Sequence, residues 1–249
     1  MKSVITMMSV FFLTCSAWAG TFVETFDNKD LEGWQEIVWH DAAPGSWENT
    51  DGELHAINNA GVLRLLTTGD KTWRNYTIEF DVKPLKKHGA GSITIAARIK
   101  GTALVFCEIG DLPFFILSSV TCRATSNFHD KHSQLLHVES HSLLKIEDWS
   151  TLKLGVQGEV FIFWINGKRI VQTGDDFTLK LHKDQKTKIK GKAGQLAGFL
   201  TGGAGLGLAN YTARFDNIII TGDGIPDKGA LSVTPRVKLA TTWGRLKQF

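Results

Sequence analysis

The sequence predicts an all-β chain folded as a two-sheet antiparallel sandwich, and three observations predict it. In NYTIEFDVKP, Asn75 to Pro84, the side chains of Tyr76, Ile78, Phe80 and Val82 fall on one face and those of Thr77, Glu79, Asp81 and Lys83 on the other. That two-residue period is the mark of a half-buried strand. Trp149 to Val156 meets Glu159 to Ile165 across Gln157-Gly158, a two-residue loop with glycine where a positive φ is wanted. Strand and turn signals recur roughly every 8 to 12 residues, with few segments of helical period, as in a sandwich.

Taken in order, the chain opens on an export leader. Met1 to Ala19 carries Lys2, an apolar run around Val10 to Leu13, and Ala17-Trp18-Ala19 ahead of Gly20, which places cleavage after Ala19. The apolar part is shorter than the roughly 20 residues of a membrane span, and Phe12-Leu13-Thr14 is a poor approach to Cys15 for lipid attachment. Loss of Lys2 takes the formal net charge from +3 to +2, a total that implies neither an acidic nor a basic partner. The expected domain runs from residue 20 to 222, and residues 223–249 form a linker and tail. In that tail Leu239, Trp243 and Leu246 stand at the spacing of a short amphipathic helix.

Two bookends frame the domain. ETFDNKDLEGW (Glu24 to Trp34) and SWENTDGELHA (Ser46 to Ala56) lie near its start, and ARFDNIIITG (Ala213 to Gly222) lies near its end. In a sandwich that begins and finishes side by side, these strands are neighbours. SITIAARI, Ser92 to Ile99, is a second alternating segment, and the turn-like LKKHGAG before it predicts a hairpin with Asn75 to Pro84. In the Trp149 to Ile165 hairpin, pairing Val156 with Glu159 sets Leu154 opposite Phe161 and Leu152 opposite Phe163. The other face then holds Lys153 opposite Ile162 and Thr151 opposite Trp164. Asn166-Gly167 gives a further tight turn into Lys168 to Val171.

Several chemistries fall away on spacing. The GGAGLGLAN run, Gly202 to Asn210, enters a strand rather than opening a helix, so its glycines suit tight sheet packing and not a dinucleotide. Six lysines between Lys180 and Lys192 come without interleaved aromatics, which describes a solvated basic loop and not a nucleic-acid surface. Cys107 and Cys122 survive processing and are either a disulfide or two buried thiols. Four histidines cluster at His129, His132, His137 and His141. A strand from Leu135 to His141 would put His137, Glu139 and His141 on one face, a possible transition-metal set or simply an exposed polar face.

The strings FDNKDLEGW, Trp47-x-x-x-DGEL, NYTIEFDVKP, WSTLKLGVQGEVFIFWINGKRIV and GLGLANYTARFDNIIITG resemble the concanavalin A-like jelly roll of the laminin G and lectin/glucanase superfamily. The opening is most similar to the 3-keto-disaccharide hydrolase-type domain of exported bacterial proteins. The resemblance spans Thr21 to Gly222, and Gly101 to Ile146 departs from its pattern. It implies a structural Ca²⁺ held by oxygens near Glu24 and Asp216, although Asp216-Asn217 equally suits local backbone bonding. The superfamily's glucanase E-x-D-x-E strand is incomplete here, since Glu79-Phe80-Asp81 runs to Pro84 with no third acid.

Those readings converge on one surface. With both hairpins in one sheet, a concave face gathers Glu79, Asp81, Arg98, Lys153 and Trp164, an aromatic plate flanked by charged groups as sugar sites require. The competing reading has the Gly101 to Ile146 segment covering Trp164. The expectation is an exported module that binds a glycan and needs no cofactor. The alternatives are a glycoside hydrolase with Glu79 or Asp81 as acid or base and Arg98 orienting substrate, and a structural or adhesive protein.

Overall fold

The computed structural model describes residues 19–27, 31–38, 45–111, 118–128, 133–180 and 188–229, the side chains of 179–180 and 188–189 excepted. The leader up to residue 18, the tail beyond residue 229, His129, His132 and part of the basic run lie outside the described residues, whereas Ala19 already belongs to the first strand. Among the described residues fifteen strands form: β1 (Ala19–Glu24), β2 (Gln35–Val38), β3 (Ser46–Thr50), β4 (Glu53–Asn58), β5 (Arg64–Thr68), β6 (Tyr76–Lys100), β7 (Ala103–Gly110), β8 (Ser119–Thr125), β9 (Gln134–Ser140), β10 (Ser150–Gln157), β11 (Val160–Ile165), β12 (Lys168–Gln172), β13 (Asp176–Lys180), β14 (Lys188–Lys192) and β15 (Gly203–Asp223). Among the described residues there is no helix.

Two long strands build the sandwich. β6 and β15 pair antiparallel from Tyr76↔Gly222 to Ile99↔Gly203, with bulges that bend them between layers. One layer runs β12-β11-β10-β6-β15-β1, and the other runs β9-β8-β7-β6-β15-β5-β2, with β4 and β3 against the middle of β15. The bend is visible in one bond: the Arg98 amide donates to the Tyr76 hydroxyl at 2.7 Å, although the two residues sit at opposite ends of β6. Between the layers pack Ile78, Phe80, Leu154, Phe161 and Phe163 from the first and Ile93, Ile95, Val105, Ile109 and Leu206 from the second. Each of these large apolar side chains contributes about 2 kcal/mol on leaving water.

The expected hairpin between Asn75 to Pro84 and Ser92 to Ile99 does not form. Residues 76 to 100 are one continuous strand, because β15 supplies partners through the apparent turn, Lys83↔Arg214 and Lys87↔Tyr211 among them. Gly91 serves a close approach there and not a reversal, since a Cβ on it would lie 2.0 Å from the Ala209 carbonyl oxygen. The second hairpin forms with its faces as expected and its register moved by two residues: Gln157 pairs with Val160, Leu154 with Phe163 and Lys153 with Trp164. The loop is Gly158-Glu159, and Gly158 takes the positive φ, +53°. A two-residue shift keeps every side chain on its face.

Asn166 and Gly167 form the next tight turn, both at positive φ. The segment read as a departure from the pattern, Gly101 to Ile146, supplies β7, β8 and β9 of the second layer. Within it Cys107 and Cys122 stand opposite each other and form a disulfide, worth about 3 kcal/mol for a loop of this size. The basic run is not simply a loop, since its ends are β13 and β14, paired to each other.

Candidate functional site

The outer face of the β12-β11-β10-β6-β15 layer carries an open apolar platform beside polar side chains. Along β11, Val160, Ile162 and Trp164 project outward at two-residue spacing, while Phe161, Phe163 and Ile165 are buried. Trp164 sits opposite Lys153 on β10, which sits opposite Glu79 on β6. Lys153 Nζ is 3.0 Å from Glu79 Oε2 and 5.9 Å from the centre of the Trp164 ring, so the cation joins an acid to the indole. Both members of that ion pair are more than a third exposed, and water screens their attraction.

Glycine sets how the indole lies. A Cβ on Gly155 would meet the Trp164 ring at 3.2 Å and the Thr77 methyl at 3.5 Å, so the ring spreads across β10 where Gly155 leaves the strand bare. Beside it opens a cleft of about 420 Å³, lined by Asn75, Thr77, Gly155, Gln157, Val160 and Ile162 along with Trp164, Thr221 and Asp223. Asn75 holds the loop at its end, its Oδ1 accepting from the Gly158 amide at 3.0 Å. The cleft therefore has a flat aromatic wall and a rim of amide, hydroxyl and carboxylate groups.

Four of the five residues expected on this surface share it: Glu79, Asp81, Lys153 and Trp164. Asp81 is engaged within the sheet, accepting from Thr151 Oγ1 at 2.7 Å and from Asn217 Nδ2 at 2.8 Å. Arg98 is elsewhere. A bulge between Ala97 and Lys100, with Arg98 at φ +57°, takes its side chain out of the strand alternation, leaving it 1% exposed. Its guanidinium donates to the carbonyls of Phe199 at 3.2 Å and Gly158 at 3.4 Å. Nor does the described part of Gly101 to Ile146 cover Trp164, since its strands extend the other layer.

The metal candidates are differently placed. β1 and β15 pair, with Glu24 opposite Ile218, two residues from Asp216. Glu24 Oε1, at the end of β1, accepts from the Phe26 amide, and Asp216 Oδ1, at a bulge inside β15, accepts from the Asn217 amide, the local backbone bonding that Asx residues favour at irregular positions. His137 is buried with its ring 5.1 Å from that of Phe177 and its Nε2 3.7 Å from Glu139, whereas His141 lies beyond the end of β9 with Nδ1 against the Ser142 carbonyl. Among the described residues, no group of three or more His, Cys, Asp and Glu is arranged to hold a metal ion.

Sequence reasoning passed over Glu108. It lies on the outer face of the second layer, 6% exposed, accepting from Ser92 Oγ at 3.0 Å and 3.5 Å from Arg123 Nε. Burial raises its carboxyl above the ordinary carboxylate range, opposed by the Arg123 charge and the Ser92 hydrogen bond. The signal in the sequence was a lone acid in the apolar run ALVFCEIG, flanked by Cys107 and Ile109.

A family model described as a 3-keto-alpha-glucoside-1,2-lyase-like domain matches residues 21–221. No curated protein matches the chain. Among solved structures, the carbohydrate binding module CBM66 from Bacillus subtilis is similar at a TM-score of 0.52 and 12% identity, over 76% of this chain and 96% of that one. A protein of unknown function with a galectin-like fold, also from Bacillus subtilis, is similar at a TM-score of 0.55 and 13% identity, over 80% of this chain and 94% of that one. At these identities the likeness is one of fold, the jelly-roll sandwich.

Proposed function

The chain belongs to the 3-keto-alpha-glucoside-1,2-lyase-like domain family, and from that premise we propose that it is an exported β-sandwich that binds a glycan on the outer face of the β6, β10 and β11 layer. The observation that carries this reading is the Trp164 indole lying across Gly155 at the edge of a polar-rimmed cleft. A pyranose ring offers CH groups to an aromatic face and hydroxyls to surrounding donors and acceptors, and the platform and rim match that division. Export is carried by the leader Met1 to Ala19. The similar fold of a carbohydrate binding module agrees with this reading.

Cleavage of a glycoside by Glu79 or Asp81 is the weaker reading. Glu79 is tied to Lys153 on an open face, Asp81 accepts two hydrogen bonds within the sheet, and Arg98 is buried away from both. A catalytic acid wants an enclosed site next to its proton acceptor, and neither carboxylate has one.

A glycan array probed with the mature protein and with Trp164→Ala tests the proposal. At least one glycan should bind, and the variant should lose about tenfold or more in affinity, the scale of one stacked ring. Binding unchanged in Trp164→Ala would remove the platform from the site, and product released from a disaccharide would favour the enzyme. The calcium expectation at Glu24 and Asp216 has its own measurement. A melting temperature lowered by EGTA in the parent but not in Asp216→Asn would support an ion there, and one unchanged in the parent would withdraw it.

A further inference from the structure

Strand register lines up the outward side chains of the Trp164 layer in rows that cross the sheet. One row runs Trp164 on β11, Lys153 on β10, Glu79 on β6, Ile219 on β15 and Val23 on β1. The next runs Ile162, Gly155, Thr77, Thr221 and Thr21 over the same five strands. From β10 to β1 this second row holds nothing larger than threonine, whereas the row beside it holds Lys153, Glu79 and Ile219. A trough therefore crosses the layer at right angles to its strands, with Gln157, Asn75 and Asp223 along the other side.

The cleft of about 420 Å³ lies in this trough, since its lining reaches from Trp164 on β11 through Gly155 and Thr77 to Thr221 on β15. Those four strands span three spacings of about 4.8 Å, which makes the cleft about 14 Å long. One ring stacked on the indole leaves its β6 and β15 stretch uncovered. Along the floor, Thr77, Thr221 and Thr21 bring hydroxyls at successive strand spacings, and each hydroxyl both donates and accepts. A repeating set of groups suits a repeating ligand. Charge narrows the class further, because Asp223 is the one charged side chain among the lining residues and Lys153 in the wall is paired to Glu79 at 3.0 Å. Among the described residues that line the cleft, no cation faces a carboxylated or sulfated sugar, and Asp223 would repel one.

We propose that the ligand of this face is a linear, uncharged glycan chain several rings long, laid across the strands from Trp164 toward β1. This rests on the reading of Trp164 as a sugar platform and adds to it the ligand's length, direction and charge. One ring stacks on the indole beside Gly155, and the rings that follow lie over Thr77 and Thr221, exchanging hydrogen bonds with the threonine hydroxyls and with Asn75 and Gln157 on the rim.

The test titrates cello-, laminari- and malto-oligosaccharides, each from the disaccharide to the hexasaccharide, and the hexamer of galacturonic acid by calorimetry into the mature protein, Trp164→Ala and Thr221→Phe. Side chains stand upright on a sheet and aromatic residues suit strands, so phenylalanine at residue 221 should fold and stand in the trough as a post. At least one neutral series should bind the parent, with affinity rising about tenfold or more from the disaccharide to the longer members, and the acidic hexamer should bind more weakly than that series. Thr221→Phe should abolish the rise and keep the parent's affinity for the disaccharide, which also reports that the variant is folded. No binding by any neutral series, equal affinity for disaccharide and hexasaccharide, a rise that survives Thr221→Phe, or tighter binding of the acidic hexamer would overturn the proposal. Failure of the platform itself shows separately, as affinity for every oligosaccharide left unchanged by Trp164→Ala; a loss in Trp164→Ala without any dependence on length would keep the platform and remove the chain.

Discussion

Trp164 can act as a plate because residue 155 has no side chain. A Cβ at that position would lie 3.2 Å from the indole, tighter than ordinary contact, and the two methyls of valine would push the ring off the strand. Gly155→Val is therefore expected to cut glycan affinity about as much as Trp164→Ala, with a change in tryptophan emission that reports the displaced ring. Valine suits a strand, so the melting temperature should stay within a few degrees. Full affinity in Gly155→Val would mean the ring need not lie flat. Glu108 makes a different prediction. Its folded pKa is raised above the ordinary value of 4.5, chiefly by burial, so folding holds the proton more tightly than the unfolded chain does. Its favourable share of stability is full below pH 4.5 and is lost as pH rises through the folded pKa. Replacing it with Gln removes that loss, and the melting temperature of Glu108→Gln relative to the parent should climb with pH across that window. A difference that stays constant with pH would contradict the raised pKa. The Glu79 side of the surface was legible in the sequence because period-two alternation fixes faces. Arg98 was not, because a bulge with a positive φ breaks that alternation and nothing in the string SITIAARI announces it.

At the level of elements, local pattern gave the strands and missed how one of them continues. The turn-like LKKHGAG suggested reversal, but turn residues reverse a chain only where no partner holds it extended, and β15 pairs with β6 through that stretch. Gly91 is the residue that permits the contact. Its replacement by valine would drive a Cβ to 2.0 Å from the Ala209 carbonyl oxygen and should cost about 2–3 kcal/mol in urea unfolding, as overpacked sites do. An unchanged midpoint would contradict the close pairing of β6 and β15 at that point. The β10–β11 hairpin shows the opposite balance. Its glycine loop was recognised and its faces were right, while the register moved by two because the reversal centres on Gly158-Glu159 and not Gln157-Gly158. Local composition marks that a turn exists, and cross-strand packing of Leu154 on Phe163 and Val156 on Phe161 decides which residues it contains.

For the molecule as a whole, the two ends of the domain meet as the bookends implied: β1 lies along β15 from Ala19↔Asp223 to Glu24↔Ile218. That closure, and two strands long enough to pass through both layers, leave two outward faces of different character. One is open, with an aromatic plate and a rim of mixed polar groups; the other is closed over Glu108 and a small apolar cluster of Leu65, Ala96, Leu104, Phe106 and Phe128. The first face was readable because its residues are exposed and alternate along recognisable strands. The second was not, because its polar members lie in three strands brought together only by the fold. The central claim, that a glycan lies on the open face, is tested most directly by calorimetric titration of an array-identified glycan into the parent protein and Trp164→Ala. The account predicts saturable binding to the parent and a loss of about tenfold or more in the variant. Equal affinity for the two proteins would contradict it.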